Sequence, residues 1–177
     1  MNDNLAYRED VWEELTGGKL VAMSPRPSVG HNRVAFNIAM LFDNYLKGKS
    51  CTPFADGTDP YLDEENQFMP DGVHGAPDLV VEVLSPGTAK YDRGRKKDAY
   101  EKCGVREYWI ADPANKMVEQ YLLQSGKFVL HDTYAILPGW MLGKMKPEER
   151  DAVVTEFKCS LYDDLTIHLD DVFARVN

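Results

Sequence analysis

Glu82 interrupts the apolar run Leu79-Val80-Val81-Glu82-Val83-Leu84, and its carboxylate is the anomaly in the chain that points to chemistry. Charged and unpaired among Val and Leu, it would lose roughly several kcal/mol of hydration. It must therefore meet a cation, a metal ion or a proton, and acids perturbed in this way concentrate at functional sites. A buried ion pair with an arginine is the structural alternative. Upstream, Met69-Pro70-Asp71 closes a strand-like segment with a second acid. Downstream, Lys96 lies one helical turn after Asp92 and one before Tyr100, which puts the three on one face. Two carboxylates side by side hold a hard divalent cation such as magnesium through oxygen. A lysine beside them can orient or deprotonate a water, or stabilise charge developing on a phosphate. Asp71, Glu82 and Lys96 thus suit metal-assisted hydrolysis of a phosphodiester with Mg2+ or Mn2+. Each piece alone is common: Pro-Asp pairs abound, and a single lysine is ordinarily a surface residue.

The elements that must position these groups follow from periodicity. Leu79 to Leu84 is a continuous β-branched run, the pattern of a strand covered on both faces, and Ser85-Pro86-Gly87 stops it. A helix is predicted over Tyr91 to Cys103, capped by Thr88 and closed by Gly104. Val105 to Ala111 reads as a second buried strand, in which Tyr108 and Trp109 are core rather than base-stacking groups. The clearest helix runs from Gly30 to Lys47, with Val34, Ile38, Leu41, Phe42 and Tyr45 at helical spacing and Gly48 past its end. Before it, Glu9 to Leu15 reads as a short helix and Lys19 to Met23 as a strand. Residues 51–70 suggest one or two strands, and Gly72-Val73-His74-Gly75 a tight connection. Val118 to Leu123 and Phe128 to Thr133 flank Gln124-Ser125-Gly126-Lys127, a four-residue hairpin signal. Pro138 to Glu149 is weakly patterned, and Leu165 to Val176 reads as a strand with a short helical end. This order predicts an α/β chain with one central mixed sheet flanked by helices.

At 177 residues the chain suits one domain, 1–177, of which 136–177 reads as a C-terminal extension. No stretch approaches a membrane span, and the polar Met1-Asn2-Asp3-Asn4 lacks the layout of a signal peptide, so a cytoplasmic protein is expected. Cys51, Cys103 and Cys159 are odd in number and scattered, which fits reduced core thiols better than a disulfide framework or a zinc site. The net charge of −9 is the wrong overall sign for a nucleic-acid binder. A local basic surface would answer that, and Lys90, Arg93, Arg95, Lys96, Lys97, Lys102 and Arg106 fall in one short segment; the plainer reading is a solvated helix face. No phosphate-binding glycine loop, dinucleotide fingerprint or serine-hydrolase elbow is present.

The run from Gly75-Ala76-Pro77-Asp78 through Glu82 to Ser85-Pro86-Gly87-Thr88 resembles the signature of the Uma2 (DUF820) restriction endonuclease family. So do Tyr91-Asp92-Arg93-Gly94 with Lys96 and Tyr100, and then Gly104-Val105-Arg106-Glu107-Tyr108-Trp109-Ile110-Ala111-Asp112-Pro113. Glu14-Leu15, Gly18-Lys19-Leu20-Val21-Ala22-Met23-Ser24-Pro25 and His31 match as well, so the likeness spans roughly residues 7–135. It implies the PD-(D/E)xK nuclease fold, a restriction-endonuclease-like core whose mixed four- or five-stranded sheet has helices on both sides. It also implies Asp71 and Glu82 as the metal carboxylates, DNA as substrate and a homodimer. The standard motif has its lysine two residues after the second acid, where this chain has Leu84; the matching amine is Lys96 on the next helix. Glu14, placed on the first helix, corresponds to an acid that often joins such sites.

One departure stands out. Only Gly72-Val73-His74-Gly75-Ala76 separates Asp71 from Pro77, fewer residues than relatives usually have. A tight hairpin there would leave Asp71 on the order of 20 Å from Glu82, and the fallback acid, Asp78, about 13 Å away along the strand. The competing readings are therefore a Mg2+-dependent DNA endonuclease, an inactive member serving as a dimeric binding module, and a hydrolase of a smaller phosphoester.

Overall fold

A computed structural model of the chain describes residues 13–16, 19–22, 27–55, 60–63, 66–67 and 73–176. The first elements among the described residues are strands β1 (Glu13–Thr16) and β2 (Lys19–Ala22), followed by helix α1 (Val29–Leu46). Three short strands come next, β3 (Pro60–Asp63), β4 (Asn66–Gln67) and β5 (Val73–His74), and then β6 (Leu79–Val83). Helix α2 (Ala89–Tyr91), a π-helical turn (Asp92–Lys96) and α3 (Lys97–Lys102) form one continuous helical segment leading to β7 (Glu107–Asp112). Strands β8 (Met117–Gln124) and β9 (Lys127–Ala135) precede short helices α4 (Gly139–Leu142) and α5 (Pro147–Asp151). The C-terminal part is β10 (Glu156–Lys158), β11 (Thr166–His168) and α6 (Leu169–Val172).

The sheet that carries Glu82 is mixed, in the order β6-β7-β8-β9. Strand β6 runs parallel to β7, with Glu82 opposite Ile110, and the remaining pairs are antiparallel. Side chains alternate across a strand. Leu79, Val81 and Val83 therefore join the core around α1, with Trp109, Ala111 and Val118 from the neighbouring strands. Val80 and Leu84 join a second core with Tyr100, Tyr108 and Ile110 beneath the α2–α3 segment, and Glu82 shares that face. Helices thus cover both faces, as expected for a restriction-endonuclease-like core.

Helix α1 forms where its pattern predicts. Ser28 Oγ accepts from the His31 N–H at 3.1 Å, and Val34, Ile38, Phe42 and Leu46 lie buried along one stripe. Gly48, at φ +77°, turns the chain away in a conformation that L side chains rarely adopt. Phe42 packs on Trp109 with ring centroids 5.7 Å apart. The Asn37 amide donates to the carbonyls of Val172 and Ala174, each at 3.0 Å, and so ties α1 to α6. Phe157, Ile167, Leu169, Val172, Phe173 and Val176 complete the α1 core from the C-terminal part of the chain.

Several sequence expectations need correction. Glu13 to Leu15, expected at the end of a helix, lie in β1, because Gly17-Gly18 links Thr16 to Lys19 and the two strands pair residue by residue. Pairing between strands overrides the weak helical preference of so short a segment. The hairpin after β8 has two loop residues rather than four, since Gln124 pairs with Lys127 and both Ser125 (φ +50°) and Gly126 (φ +78°) are left-handed. Thr88 gives no side-chain cap; its hydroxyl lies 2.9 Å from that of Ser85 instead. Val73 and His74 are not a tight connection but a strand, running parallel to Pro60 and Tyr61 in the separate sheet β2-β1-β4-β3-β5. The hairpin on which the 20 Å separation of Asp71 from Glu82 rested is therefore not formed by these residues. Of the three thiols, Cys51 is exposed, Cys103 is half-buried, and only Cys159 is a core residue. Burial and the nearby charge of Glu107 push the Cys159 thiol up to about 12, so it stays protonated.

Glu107 carries no signal of its own in the sequence. It is 0% exposed and sits on the α1 face of β7. Its Oε1 accepts from Trp109 Nε1 (2.6 Å) and Gln120 Nε2 (2.7 Å). Its Oε2 accepts from the Ser160 N–H (2.9 Å), the Ser160 hydroxyl and the Cys159 thiol (3.6 Å). This carboxylate fastens the segment after β10 to the central sheet.

Candidate active site

Strand β6 and the helical segment after it bring Glu82 and Lys96 together. Lys96 Nζ lies 3.2 Å from Glu82 Oε1 and 3.4 Å from Oε2. The Tyr100 hydroxyl donates to Oε1 at 3.0 Å. The lysine side chain is 7% exposed and the glutamate 17%, so the pair sits at the rim of the core with one edge toward solvent. The cation that Glu82 requires is a lysine, not the arginine of the structural alternative.

Asp92 is the third charged group of this cluster. It is only 2% exposed, at the first position of the π-helical turn. The buried Tyr108 hydroxyl donates to its backbone carbonyl at 2.9 Å and pins that turn to the sheet. Burial first, and then the charge of Glu82, push the Asp92 carboxyl up to about 6, against the opposing pull of a Thr88 hydrogen bond and of Lys96 and Arg93. Its Oδ2 has no hydrogen-bond partner among the described residues. Burial, with Glu82 and Asp92 nearby, also raises the Tyr108 hydroxyl well above its ordinary range.

The elevated carboxyl carries a stability consequence. A folded-state value near 6, against 3.8 for the free group, means that the folded chain holds this proton more tightly than the unfolded chain. Stability is therefore lost as pH rises from about 4 to about 6, by on the order of 3 kcal/mol, and stays lost above that window. Asp92→Asn is expected to remove this term. In urea titrations without metal, the variant should exceed the parent at pH 7.5, with the difference shrinking as pH approaches 4. A variant less stable than the parent at pH 7.5 would contradict the assignment.

Three residues of the basic run, Arg93, Lys96 and Arg106, are engaged in ion pairs among the described residues. Arg93 Nη2 lies 2.6 Å from Glu119 Oε1, whose other oxygen accepts from Tyr121 at 2.7 Å. Arg106 pairs with Asp78 at 3.3 Å, and Lys97 stacks over Tyr121 at 4.8 Å from its centroid. Lys90, Arg95 and Lys102 are exposed. The segment is thus neither a uniform solvated face nor an open strip of positive charge. Asp78 is about two-thirds exposed and held by Arg106.

Asp71 lies outside the described residues, and Glu14 is placed only by its backbone, in β1. Among the described residues no group of three or more His, Cys, Asp or Glu side chains is arranged to hold a metal ion. Glu82 and Asp92 nevertheless offer the all-oxygen donors that suit a hard divalent cation, and Asp92 Oδ2 is a buried acceptor with capacity to spare.

The fold is that of a restriction-endonuclease-like core, with an acid on strand β6 and a lysine on the helical segment that follows. Residues 4–143 match the Uma2 family, described as "Putative restriction endonuclease", and the chain belongs to that family. A Synechocystis sp. relative, "Uncharacterized protein slr1290", is 31% identical over 140 residues, covering 68% of this chain and 64% of the relative. The match thus spans just under two-thirds of that relative's length. The crystal structure of a "putative nuclease belonging to DUF820" from Anabaena variabilis superposes with a TM-score of 0.54 at 16% identity, covering 91% of this chain and 89% of that one. At that identity the likeness bears on the fold alone.

Proposed function

We propose that this chain is a metal-dependent DNA endonuclease that hydrolyses phosphodiester bonds with Mg2+ or Mn2+. The observation that supports it best is the largely buried Glu82–Lys96 pair, an acid on β6 and an amine from the next helical segment within 3.2 Å. Glu82 would hold the cation, with Asp71 as its partner acid and Glu14 contributing from β1. A divalent cation bound there would supply Lewis-acid polarisation of the phosphate and lower the pKa of a water. The Lys96 ammonium neutralises charge that builds on the phosphate oxygens, and the Tyr100 hydroxyl fixes the rotamer of Glu82 through Oε1. A homodimer acting on duplex DNA in the cytoplasm belongs to the same reading.

Purified protein incubated with supercoiled plasmid and Mg2+ or Mn2+ tests it. The wild type is expected to nick the plasmid and Glu82→Ala to leave it intact; no nicking by wild type, or equal nicking by both, overturns the reading. The net charge of −9 and the pairing of Arg93 and Arg106 with acids favour a second reading, a non-catalytic dimeric binding module. That reading expects no uptake of divalent metal.

A further inference from the structure

The family resemblance points to Asp71 and Glu82 as the metal acids and leaves Asp92 unassigned. We propose that Asp92 is a further carboxylate of the divalent-cation site, presenting Oδ2 to the same ion as Glu82. The inference rests on the metal-dependent reading of that site.

Three observations carry it. First, Asp92 is 2% exposed, yet its Oδ2 has no hydrogen-bond partner among the described residues. Buried acceptors in folded proteins are almost always satisfied, so an orphaned carboxylate oxygen marks a place where an absent partner belongs. Second, acidic charge gathers here. Glu82 and Asp92 are close enough to repel one another, and of the described cations acting on Asp92, Lys96 is already paired with Glu82. The adjacent guanidinium of Arg93 is turned to Glu119 at 2.6 Å, so it does not bond the orphaned oxygen. A hard cation would supply the missing partner and offset the acidic charge.

Third, the backbone is shaped to hold Asp92 in place. The helical segment widens to a π-turn over Asp92–Lys96, which places both of its charged ends in the interior. Such turns inside α-helices are frequent at functional sites. The Tyr108 hydroxyl grips the Asp92 carbonyl from β7, the strand paired with β6 that carries Glu82. Glu82 and Asp92 therefore stand on two elements braced against each other.

The experiment is calorimetric titration of the whole metal-free chain with Mn2+ alone, for wild type, Glu82→Gln, Asp92→Asn and Asp92→Ser. Each protein is also melted without metal under circular dichroism. Wild type is expected to take up Mn2+ stoichiometrically, and both Asp92 variants to bind at least tenfold more weakly while melting no lower than wild type. A purely structural carboxylate would lower the melting temperature instead. Wild-type affinity in either Asp92 variant overturns the inference while leaving the ion at Glu82. Failure of the Asp92 variants to fold without metal overturns it too, because the carboxylate is then structural. Absence of Mn2+ uptake by wild type removes the inference and the cation reading together. A protein that binds Mn2+ through Glu82 and Asp92 but cuts no plasmid keeps this inference and loses the nuclease reading.

Discussion

Glu107→Ala should lose on the order of 3–5 kcal/mol of folding stability, read as a shift of the urea midpoint under circular dichroism. The reason is the number of donors that converge on one buried carboxylate. Trp109, Gln120, Cys159 and Ser160 direct five hydrogen bonds to it. Deleting the acceptor strands these groups where water is excluded, and an unmade bond of this kind costs about 1–3 kcal/mol per group before relaxation. Two of those residues belong to the segment after β10, so its attachment to the sheet loosens at the same time. Typical domains have about 5–15 kcal/mol in total, so the variant should approach the limit of folding. Glu107→Gln keeps the size but turns an amide toward existing donors, and should recover only part of the loss. A change under about 1 kcal/mol in Glu107→Ala would mean that water replaces the carboxylate without penalty.

Lys96→Met should have two separable effects. Removing the ammonium leaves Glu82 near Asp92 without its lysine partner, and breaking a largely buried ion pair from one side costs about 3–5 kcal/mol. The partial exposure of Glu82 holds the loss to the lower end of that range. Phosphodiester cleavage, if the proposed function holds, should fall by about 10²-fold or more, the scale seen when one charge-stabilising donor is lost. Adding Glu82→Gln to Lys96→Met removes the orphaned charge and should return most of the stability, but no cleavage. Denaturant midpoints and plasmid nicking, measured on the same preparations, separate the two effects. A double variant as unstable as the single one would show that the pair is not what Lys96 contributes to the fold.

How far local pattern reaches can be judged element by element. Helix α1 was legible because its apolar stripe repeats at helical spacing between a serine cap and a glycine. Strand β6 was legible because its apolar run ends at Ser85-Pro86-Gly87. Where pattern and pairing compete over few residues, pairing prevails. Glu13 to Leu15 entered a strand because β2 lies two glycines away, and Val73-His74 entered a sheet because β3 offered a partner. The turn at Ser125-Gly126 was shorter than expected because both residues adopt left-handed angles that extend the strands on either side.

The same division runs through the site. Sequence alone determined that Glu82 needs a cation, because a carboxylate within an apolar run cannot remain bare. It also determined that Lys96, Tyr100 and Asp92 share a helical face, because that is a matter of spacing along one element. Only the tertiary structure decided that this face is laid on Glu82, that one Asp92 oxygen finds no hydrogen-bond partner among the described residues, and that Arg93 is diverted to Glu119. It likewise decided that Glu107, unremarkable in the sequence, gathers donors from residues more than fifty positions away, such as Ser160. The physical reason is the range of the interactions involved. Hydrophobic periodicity is written within a single element, whereas the partner of a buried charge depends on how elements distant in sequence come into register.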